Sequence, residues 1–586
     1  MVSTEKHFAD RLVARSLRGG IPMALFIASL LAGTFALLYT PREEEPQIVV
    51  PTLDVLVTAP GLSAAQVARQ VTIPLEKLLT QIPGVEHVYS SSMSGRAVAT
   101  LRFFVGEDRE KSILNTYNKI YSNQDKVPEA VSNWLVRAVD VDDVPILLLA
   151  LWSDDPERYS DFALRRIADE LSTALQSIPQ TSEVSVSGGR PRTIQVLLDA
   201  EGMAARKTSS AEIVRALALS NSLSDAGEWT MGNQSIEMQS GDFLRSPEEL
   251  ESLLVNVIDG TPVYLRDVAS VVDGPADTEQ YTWIRFAGAS DDTRPMVAIS
   301  IAKQKGQNAV RVARAVHEQV ARLSRTLLPP QVHVEVLRDY GETANEKVNN
   351  LSLSLGFAMV TVVIFIGVFL GLRPALVVGL AIPICYGFTL ALDFAFGYTI
   401  NRVTLFALIL SLGLLVDDPI TGVDNIERFL RRKGAELGSS IVAAMAEIRT
   451  PLIMSTVTIV LAFVPLAFIT GMMGPYMAPM AFNVPVSVIA STGVAFLVTP
   501  WLASKLLRPA SDEVEGDKDS AMARVYQRLV GPLLRNRRMA WATLWLVAVL
   551  FLLAAVLPAF RLVPLKLLPF DNKSELQLLI EMPESS

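Results

Sequence analysis

Two adjacent carboxylic acids, Asp417 and Asp418, are the side chains of this sequence best placed to carry chemistry. The residues before them, 405–416, are mostly apolar and include no charged side chain. An ionised acid near the middle of a membrane helix costs about 2.5–3.5 kcal/mol, so the pair would cost roughly 5–7 kcal/mol if both were ionised. Such acids face the interior of a helix bundle and bind a cation or a proton. The pair should exchange protons as one coupled unit, which suits loading a proton on one side of a membrane and releasing it on the other.

Helical geometry selects the residues that share a face with Asp417. At about 100° per residue these are Gly413, Thr421 and Asp424. Gly413 would allow a neighbouring helix to approach closely, and Thr421 is predicted to support the same packing. Pro419 could loosen the local backbone, whose hydrogen bonds neighbouring groups would then satisfy.

Another interpretation ends this helix at Val416 and places both aspartates at the membrane surface. The apolar run would then be only about fourteen residues, which is short for a span. A further acid, Asp393, lies near the outer end of another apolar segment and is interpreted as interfacial. Asp424 and Glu427 approach the inner surface and are interpreted as structural.

The composition of the chain excludes several classes of protein. Of its 586 residues, 50% are hydrophobic and 19% are charged, against roughly 25% charged in an average soluble chain. That balance argues against a soluble enzyme and against a disordered chain. The net charge of −9 comes with no basic patch that would indicate nucleic acid binding. The single cysteine and the four histidines show no ligand spacing, so no metal site and no cofactor are predicted.

Seven apolar segments are long enough, and poor enough in charge, to span a membrane. They cover residues 20–39, 351–372, 375–396, 403–426, 452–470, 480–506 and 541–559. Basic residues cluster in the leader 1–19, at 428–433 and at 505–538, and the positive-inside rule makes that side cytoplasmic. The leader is predicted to form a cytoplasmic helix. Residues 520–538 combine helical apolar spacing with an opposite basic face, which predicts a helix lying on the inner leaflet.

Residues 41–340 form one large domain between the first and second spans, which this orientation places outside the cytoplasm. The domain opens with an alternating strand at 47–58, a helix at 63–81 and two further strands. A strand, a helix and a strand recur over 145–187. The sequence therefore predicts ferredoxin-like β-α-β repeats, with residues 190–272 as an inserted subdomain. The predicted fold class is a multi-pass α-helical membrane protein with a large α+β domain.

A longer repeat emerges when the chain is shifted so that Arg15 aligns with Arg538. The first span then lies over most of the last one, and the strand residues 53–57 lie over 576–580. Residues 560–586 are therefore predicted to begin a second extracytoplasmic domain that is cut off. Tandem repeats of this kind are typical of transporters, and the alternative is a coincidence between two helix-then-strand segments.

Several stretches resemble a known family. Residues 413–418 (Gly-Leu-Leu-Val-Asp-Asp) and 424–428 (Asp-Asn-Ile-Glu-Arg) resemble the fourth-helix signature of the resistance–nodulation–division (RND) superfamily of bacterial efflux permeases. Residues 41–47 after the first span, and Pro60-Gly61 before the first helix of the domain, are similar to the same family. Two adjacent aspartates resemble its hydrophobe/amphiphile, acriflavine-resistance-like class, whereas the heavy-metal class usually has one acid there.

The resemblance implies a homotrimer embedded in the lipid bilayer of the bacterial inner membrane. Such a trimer would exchange protons for exported hydrophobic or amphiphilic compounds. It implies that Asp417 and Asp418 are the proton relay, and that residues 41–340 form periplasmic porter and docking subdomains. The implied partners are a periplasmic adaptor (membrane fusion) protein and an outer-membrane channel. The cationic partner of the aspartates would come from a helix beyond residue 586, so the chain is expected to be truncated after its seventh span.

Two other functions stay open at this point. One is a truncated interaction protein that does not transport. The other is a heavy-metal-class exporter, for which methionines at a span mouth could form a soft-metal relay, although methionine is also a common gap filler. The methionines are Met472, Met473, Met477 and Met480.

Overall fold

The computed structural model describes most of the chain and divides it into two compact units, Met1–Pro509 and Ala510–Ser586. The described residues are 8–17, 20–46, 50–139, 143–278, 280–288, 293–431, 436–471, 473–508, 521–563 and 576–580. The first unit begins with a short helix, α1 (Phe8–Ser16), and an apolar helix, α2 (Ile21–Tyr39). Helix α1 lies in the segment predicted as an N-terminal helix, of which residues 1–7 and 18–19 are outside the described residues.

A four-stranded antiparallel sheet follows α2, with the strand order β2-β3-β1-β4. Its elements are β1 (Thr52–Thr58), α3 (Ala64–Val67), α4 (Ile73–Leu79), β2 (Val85–Met93), β3 (Arg96–Phe103), α5 (Arg109–Tyr121) and β4 (Asn133–Val139). Alternate residues of β1 point into a core that also takes in apolar residues of the helices. The helix predicted over 63–81 is not continuous, because a π-helical turn (Ala68–Thr72) separates α3 from α4. Pro74 follows that turn and has no amide hydrogen to complete the regular ladder.

A second set of elements starts in the same way and is then interrupted. It begins with β5 (Pro145–Ser153), α6 (Asp161–Gln176) and β6 (Thr181–Ser187). The interrupting segment contains β7 (Arg192–Leu198), α7 (Ala200–Ala205), α8 (Ser210–Ser220), β8 (Ser222–Met231), β9 (Gln234–Asp242), α9 (Pro247–Glu251), β10 (Leu254–Ile258), β11 (Thr261–Tyr264), β12 (Ala269–Pro275) and β13 (Trp283–Ile284). Strands β7 and β12 pair antiparallel, and β8 and β9 form a separate two-stranded hairpin.

The second sheet is completed only after this interruption, by β14 (Arg294–Lys303), α10 (Ala309–Thr326) and β15 (Val332–Asp339). Strand β14 pairs with β5, with β6 and with the short β13, and β5 pairs with β15. The order β6-β14-β5-β15 therefore repeats the order β2-β3-β1-β4 of the first sheet. Each copy contains strand, helix, strand, strand, helix and strand, so the repeat is twice as long as the β-α-β unit read from the sequence.

The last strand leads directly into a bundle of long helices. The helices of the bundle are α11 (Tyr340–Phe369), α12 (Leu372–Ala395), α13 (Arg402–Leu430), α14 (Leu437–Phe463), α15 (Met473–Leu497) and α16 (Thr499–Leu506). The apolar segment predicted over 480–506 is divided between α15 and α16, since Pro500 lacks the amide hydrogen that a continuous helix would use. Across the described residues, α2, the five helices α11–α15 and the later α18 (Arg537–Ala559) are long and apolar enough to cross a membrane.

Helices α12, α13 and α15 form the centre of the bundle. Of the most apolar stretch of each, 56%, 61% and 56% is buried, against 11% in α11 and in α14. Helix α2 packs closely on α12 through two glycines, because a Cβ added to Gly33 would lie 2.3 Å from the Cα of Gly387. The Ser29 hydroxyl also donates to the Ile384 carbonyl at 2.5 Å. Side chains on the inner faces of these central helices are therefore withdrawn from solvent.

The second unit consists of α17 (Ala521–Arg535), α18 and an extended segment. Helix α17 lies within the segment 520–538 that was predicted as an interfacial helix. Residues 576–580, which the predicted repeat aligns with the strand 53–57, have no regular secondary structure and are exposed. A strand needs hydrogen-bonded neighbours, and 576–580 pairs with none of the described residues. The remaining parts of the predicted second domain, 564–575 and 581–586, lie outside the described residues.

Candidate functional site

Helix α13 carries both predicted relay acids near the middle of its length. The helix starts at a strong cap, because the Asn401 side-chain oxygen accepts hydrogen bonds from the amides of Val403 and Thr404, both at 2.9 Å. The helix then continues past Val416 to Leu430. The interpretation that ends the helix at Val416 is therefore wrong, and both aspartates lie within a continuous helix.

Asp418 points into the bundle and is held by hydroxyl groups. Its side chain is 5% exposed. Its Oδ2 accepts a hydrogen bond of 2.5 Å from the Thr492 hydroxyl on α15. The Thr492 oxygen lies 2.6 Å from that of Thr456 on α14, so three helices meet at this carboxyl group. Its described hydrogen-bond partner is a neutral side chain.

Asp417 is about 100° away from Asp418 around α13 and shares a face with Gly413, Thr421 and Asp424. All four are exposed, and a Cβ at Gly413 would meet nothing within 4 Å among the described residues. The helix-packing role predicted for Gly413 and Thr421 is therefore not found in the described part of the chain, because their face is turned away from the other helices. The glycine of α13 that does pack is Gly422, where a Cβ would lie 3.7 Å from the Met445 sulfur.

Asp393 is buried within the protein, which its sequence position did not indicate. The residue is near the end of α12 but only 1% exposed. The chain turns back over it, with the Tyr398 amide donating to the Asp393 carbonyl at 2.9 Å and the Tyr398 ring stacking on Phe482. Neither carboxylate oxygen of Asp393 has a hydrogen-bond partner among the described residues. The sequence position of Asp393 could not reveal this cover, which comes from a loop and from α15.

A row of small polar residues on α15 was missed from the sequence. Asn483, Ser487 and Ser491 are fully buried and recur every four residues, so they share one face of the helix. The Ser487 oxygen lies 3.3 Å from the hydroxyl of Thr389 on α12, and the Ser491 hydroxyl donates to the Leu415 carbonyl at 2.5 Å. Their spacing within an otherwise apolar helix is the signal that could have identified them.

A separate polar centre joins the sheets to the bundle. The Glu43 carboxylate, in the segment after α2, accepts from the Lys303 ammonium of β14 at 2.7 Å. It also accepts from the Thr399 hydroxyl, in the loop between α12 and α13, at 3.1 Å. The Glu43 and Lys303 side chains are 4% and 9% exposed, so this is a buried ion pair. The pair fixes the second sheet to one end of the bundle.

Arg402, at the start of α13, extends the same junction. Its guanidinium donates to Glu45 at 2.7 Å and to the Tyr476 hydroxyl of α15 at 2.9 Å. The segment after α2, the loop before α13 and the start of α15 therefore meet on the side of the bundle that carries the sheets.

Three of the four methionines considered for a soft-metal relay lie in the first part of α15. Met477 and Met480 are buried within α15, and Met472 lies outside the described residues. In the part of the chain that is described, no group of three or more His, Cys, Asp or Glu side chains could hold a metal ion. Buried methionine side chains on a helix fill gaps in packing.

A protein-family model described as the AcrB/AcrD/AcrF family matches residues 20–586, which is nearly the whole chain.

Proposed function

The chain belongs to the AcrB/AcrD/AcrF family of RND permeases, and we propose that it is driven by the proton gradient, with Asp417 and Asp418 as the proton-binding residues. Members of this family are efflux transporters rather than enzymes. We propose hydrophobic or amphiphilic compounds as the exported substrates, because the adjacent pair of aspartates resembles the drug-exporting class. The two sheets that share one strand order support a ferredoxin-like architecture for the porter part.

The observation that carries this proposal is the surroundings of Asp418. A buried carboxylate without a nearby cation is costly, and a hydrogen bond from a neutral hydroxyl offsets only part of the lost hydration. Asp418 is buried and accepts its described hydrogen bond from Thr492. An acid in this setting is best accommodated with a proton bound, and it loses the proton when a cation approaches. That exchange is the elementary step of proton-driven transport.

The exposed face of α13 shows where such a cation would approach. Asp417, Gly413 and Thr421 share this face, and small residues beside an acid allow another helix to come close. The resemblance to RND permeases implies a lysine from a later helix as the partner. We propose that this face receives that helix, so that Asp417 meets the cation first and Asp418 exchanges the proton behind it.

The test replaces each acid by its neutral isostere in the full-length gene product. Asp418→Asn and Asp417→Asn should reduce efflux of a dye substrate to the level of cells without the permease, since neither variant can carry a proton. Asp424→Asn is the matched control, because Asp424 is exposed on the same face and should leave efflux unchanged. Retained export by Asp418→Asn, at wild-type protein level in the membrane, would rule out the proposed role.

The junction at Glu43 supports a bacterial inner-membrane topology with residues 41–340 in the periplasm. The loop before α13 and the start of α15 lie on the same side as the sheets. The basic residues Arg428 and Arg431 lie at the other end of α13, where the positive-inside rule expects the cytoplasm. On this topology the sheets can meet a periplasmic adaptor protein and an outer-membrane channel, the partners that we propose for this permease.

The hairpin of β8 and β9 supports a homotrimer. Almost every residue of both strands is exposed, including the apolar Trp229, Met231, Ile236 and Met238. An isolated two-stranded hairpin is only marginally stable in water, so these side chains need a covering surface. We propose that a neighbouring protomer provides it. Trp229→Ser with Ile236→Ser should shift the detergent-solubilised protein from trimer towards monomer in light-scattering chromatography, and an unchanged mass would contradict the proposal.

A further inference from the structure

The acid that the proton cycle leaves unused is Asp393. Its carboxylate oxygens and the Asn483 side-chain oxygen are all buried without a hydrogen-bond partner among the described residues. The Asn483 amide nitrogen donates to the Pro479 carbonyl at 2.9 Å, which fixes the orientation of that amide. The unpaired Asn483 oxygen is an acceptor, and an ionised Asp393 carboxylate also has only acceptors to offer.

A proton on Asp393 would resolve this mismatch. A protonated carboxyl group has one donor, which a small adjustment would direct to the Asn483 oxygen. A metal ion would need several oxygen ligands around it. The neighbouring hydroxyl of Thr389 already donates to the Cys385 carbonyl at 3.0 Å and contacts Ser487. The geometry thus favours a proton over a metal cation at this position.

Charged groups near Asp393 are engaged elsewhere. Glu43 pairs with Lys303, and Arg402 bonds to Glu45 and Tyr476. The titratable residues on the helices packed against α12 are Tyr39 on α2; Tyr340, Glu342, Glu346 and Lys347 on α11; Arg402, Asp417, Asp418, Asp424, Glu427 and Arg428 on α13; Tyr476 on α15; and Lys505 on α16. Burial, and then the Asp393 carboxylate, raise the pKa of Tyr398 in the loop that covers this acid. No described cation pairs with Asp393.

Asp393 is connected to Asp418 by two facing rows of polar side chains. On α12 the row is Cys385, Thr389 and Asp393, and on α15 it is Ser491, Ser487 and Asn483. Both rows repeat every four residues. A hydroxyl contact of 3.3 Å joins Thr389 to Ser487, and the same spacing, followed in opposite directions along the two helices, places Asp393 opposite Asn483 and Cys385 opposite Ser491. We call these three pairs the polar ladder. All six residues are buried.

The polar ladder ends beside the relay acid. Thr492, which donates to Asp418, is the residue after Ser491 on α15. From Asn483 to Thr492 the helix rises about 13 Å, so the polar ladder spans two and a half turns of otherwise apolar bundle. Packing alone gives no reason to bury six polar side chains in two matched rows.

We propose that Asp393 is a third proton-binding acid of this permease and that the polar ladder conducts the proton between Asp393 and Asp418. The proposal rests on the proposed function for the identity of the acceptor, Asp418. Asp393 lies at the end of the bundle that adjoins the sheets, under the half-buried Tyr398, so it takes up the proton from that side. The Thr389 and Ser491 hydroxyls donate to backbone carbonyls in this structure. Each of them therefore has to rotate away from its carbonyl to accept one hydrogen and donate another along the polar ladder.

The first experiment detects the proton directly. Infrared difference spectra of the permease in lipid vesicles, titrated with pH, should contain a protonated-carboxyl stretch that is lost in Asp393→Asn and kept in Asp418→Asn. This readout does not depend on transport, so it separates a failure at Asp393 from a failure of the role given to Asp418. A spectrum in which Asp393→Asn changes no protonated-carboxyl band overturns the proposal. So does a band that sodium ions, rather than pH, remove.

The second experiment measures the pH profile of substrate transport in the same vesicles. Asp393→Asn should reach the same maximal transport rate as the wild type, but only at an outer pH about one unit lower. At high pH its transport rate should therefore be about tenfold below that of the wild type. Asp393→Glu should restore the profile. An equal loss at every pH would indicate a structural role and overturn the proposal.

A matched pair of threonines tests the polar ladder itself. Thr389→Val removes a rung and should shift the pH profile in the same direction as Asp393→Asn. Thr361→Val is the control, because the Thr361 hydroxyl also donates to a carbonyl four residues earlier but lies on the exposed side of α11. Identical profiles for the two variants would exclude conduction through the polar ladder.

Discussion

Glu43 and Asp418 are almost equally buried, with 4% and 5% of their surface exposed, but they have different partners. Glu43 is paired with the Lys303 ammonium and also accepts from a hydroxyl group. Asp418 accepts from a hydroxyl group alone among the described residues. Burial by itself therefore does not distinguish a structural acid from a proton carrier.

The difference lies in whether the charge is compensated. A buried ion pair stays charged in every state that keeps the two groups together, so it can join two parts of a protein permanently. A buried acid held only by a hydroxyl is stable while it carries a proton and unstable once it loses it. The first arrangement gives a fixed joint between the sheets and the bundle, and the second gives a switch inside the bundle.

The largest effect that the comparison predicts is on stability at the joint. Lys303→Met should destabilise the protein by about 3–5 kcal/mol, because it leaves the Glu43 carboxylate buried without its cation. Asp418→Asn should change stability little, since it replaces a neutral, protonated acid with a neutral amide of the same shape. Thermal unfolding of the two purified variants in detergent measures the difference. Equal decreases in the unfolding temperature of the two variants would contradict the distinction between a charge-paired acid and a protonated one.

The double variant sharpens this result. Glu43→Gln combined with Lys303→Met removes both charges, and it should recover most of the stability lost in Lys303→Met. The recovery would show that the loss came from an unpaired charge and not from altered packing around Lys303. A double variant as unstable as Lys303→Met would show the opposite.

A smaller effect is expected at the hydroxyl that holds the switch. Thr492→Val should destabilise the protein by about 1–3 kcal/mol, because the Asp418 oxygen then loses its hydrogen-bond donor. In an Asp418→Leu background the same substitution should cost much less, since no carboxyl group is left to satisfy. A double-mutant cycle on unfolding midpoints measures this coupling, and a coupling of zero would mean that the 2.5 Å contact does not stabilise Asp418.

The sequence was sufficient for features that depend on apolar length and on local periodicity. The seven helices of the described residues that are long and apolar enough to cross a membrane follow from runs of apolar residues. The aspartates on α13 follow from charge within such a run. The sequence was insufficient to predict the burial of a residue when that burial depends on which helix or loop packs over it. The burial of Asp393 was not predicted, because its position near a helix end says nothing of the loop that folds over it. Gly413 was expected to pack because a small residue beside an acid permits contact but cannot show that a neighbour is present.

Pairing between strands that are distant in the sequence could not be predicted either. The second sheet takes two of its main strands, β14 and β15, from beyond an interruption of about a hundred residues, and local patterns carry no information on such pairing. The two buried rows of the polar ladder are a middle case. Each row has a helical period that the sequence displays, but only the structure shows that the rows face each other.

The smallest effect should come from an ion pair that is compensated but lies near the surface. Arg190 donates two hydrogen bonds of 2.8 Å to Asp161 at the start of α6, and both side chains are about 30% exposed. The hydrogen bonds from Arg190 hold the pKa of Asp161 below its usual value. The pair should therefore add about 1 kcal/mol of stability above pH ~4, and this should be lost as the pH falls through the lowered pKa of the folded state. Asp161→Asn should reduce the unfolding midpoint slightly at pH 7 and not at all near pH 2. Asp169→Asn is the control, because Asp169 is a more exposed partner of Arg165, and it should change the midpoint less at either pH. A large, pH-independent loss in Asp161→Asn would mean that exposure does not weaken charge pairs here, and the contrast drawn between Glu43 and Asp418 would lose its physical basis.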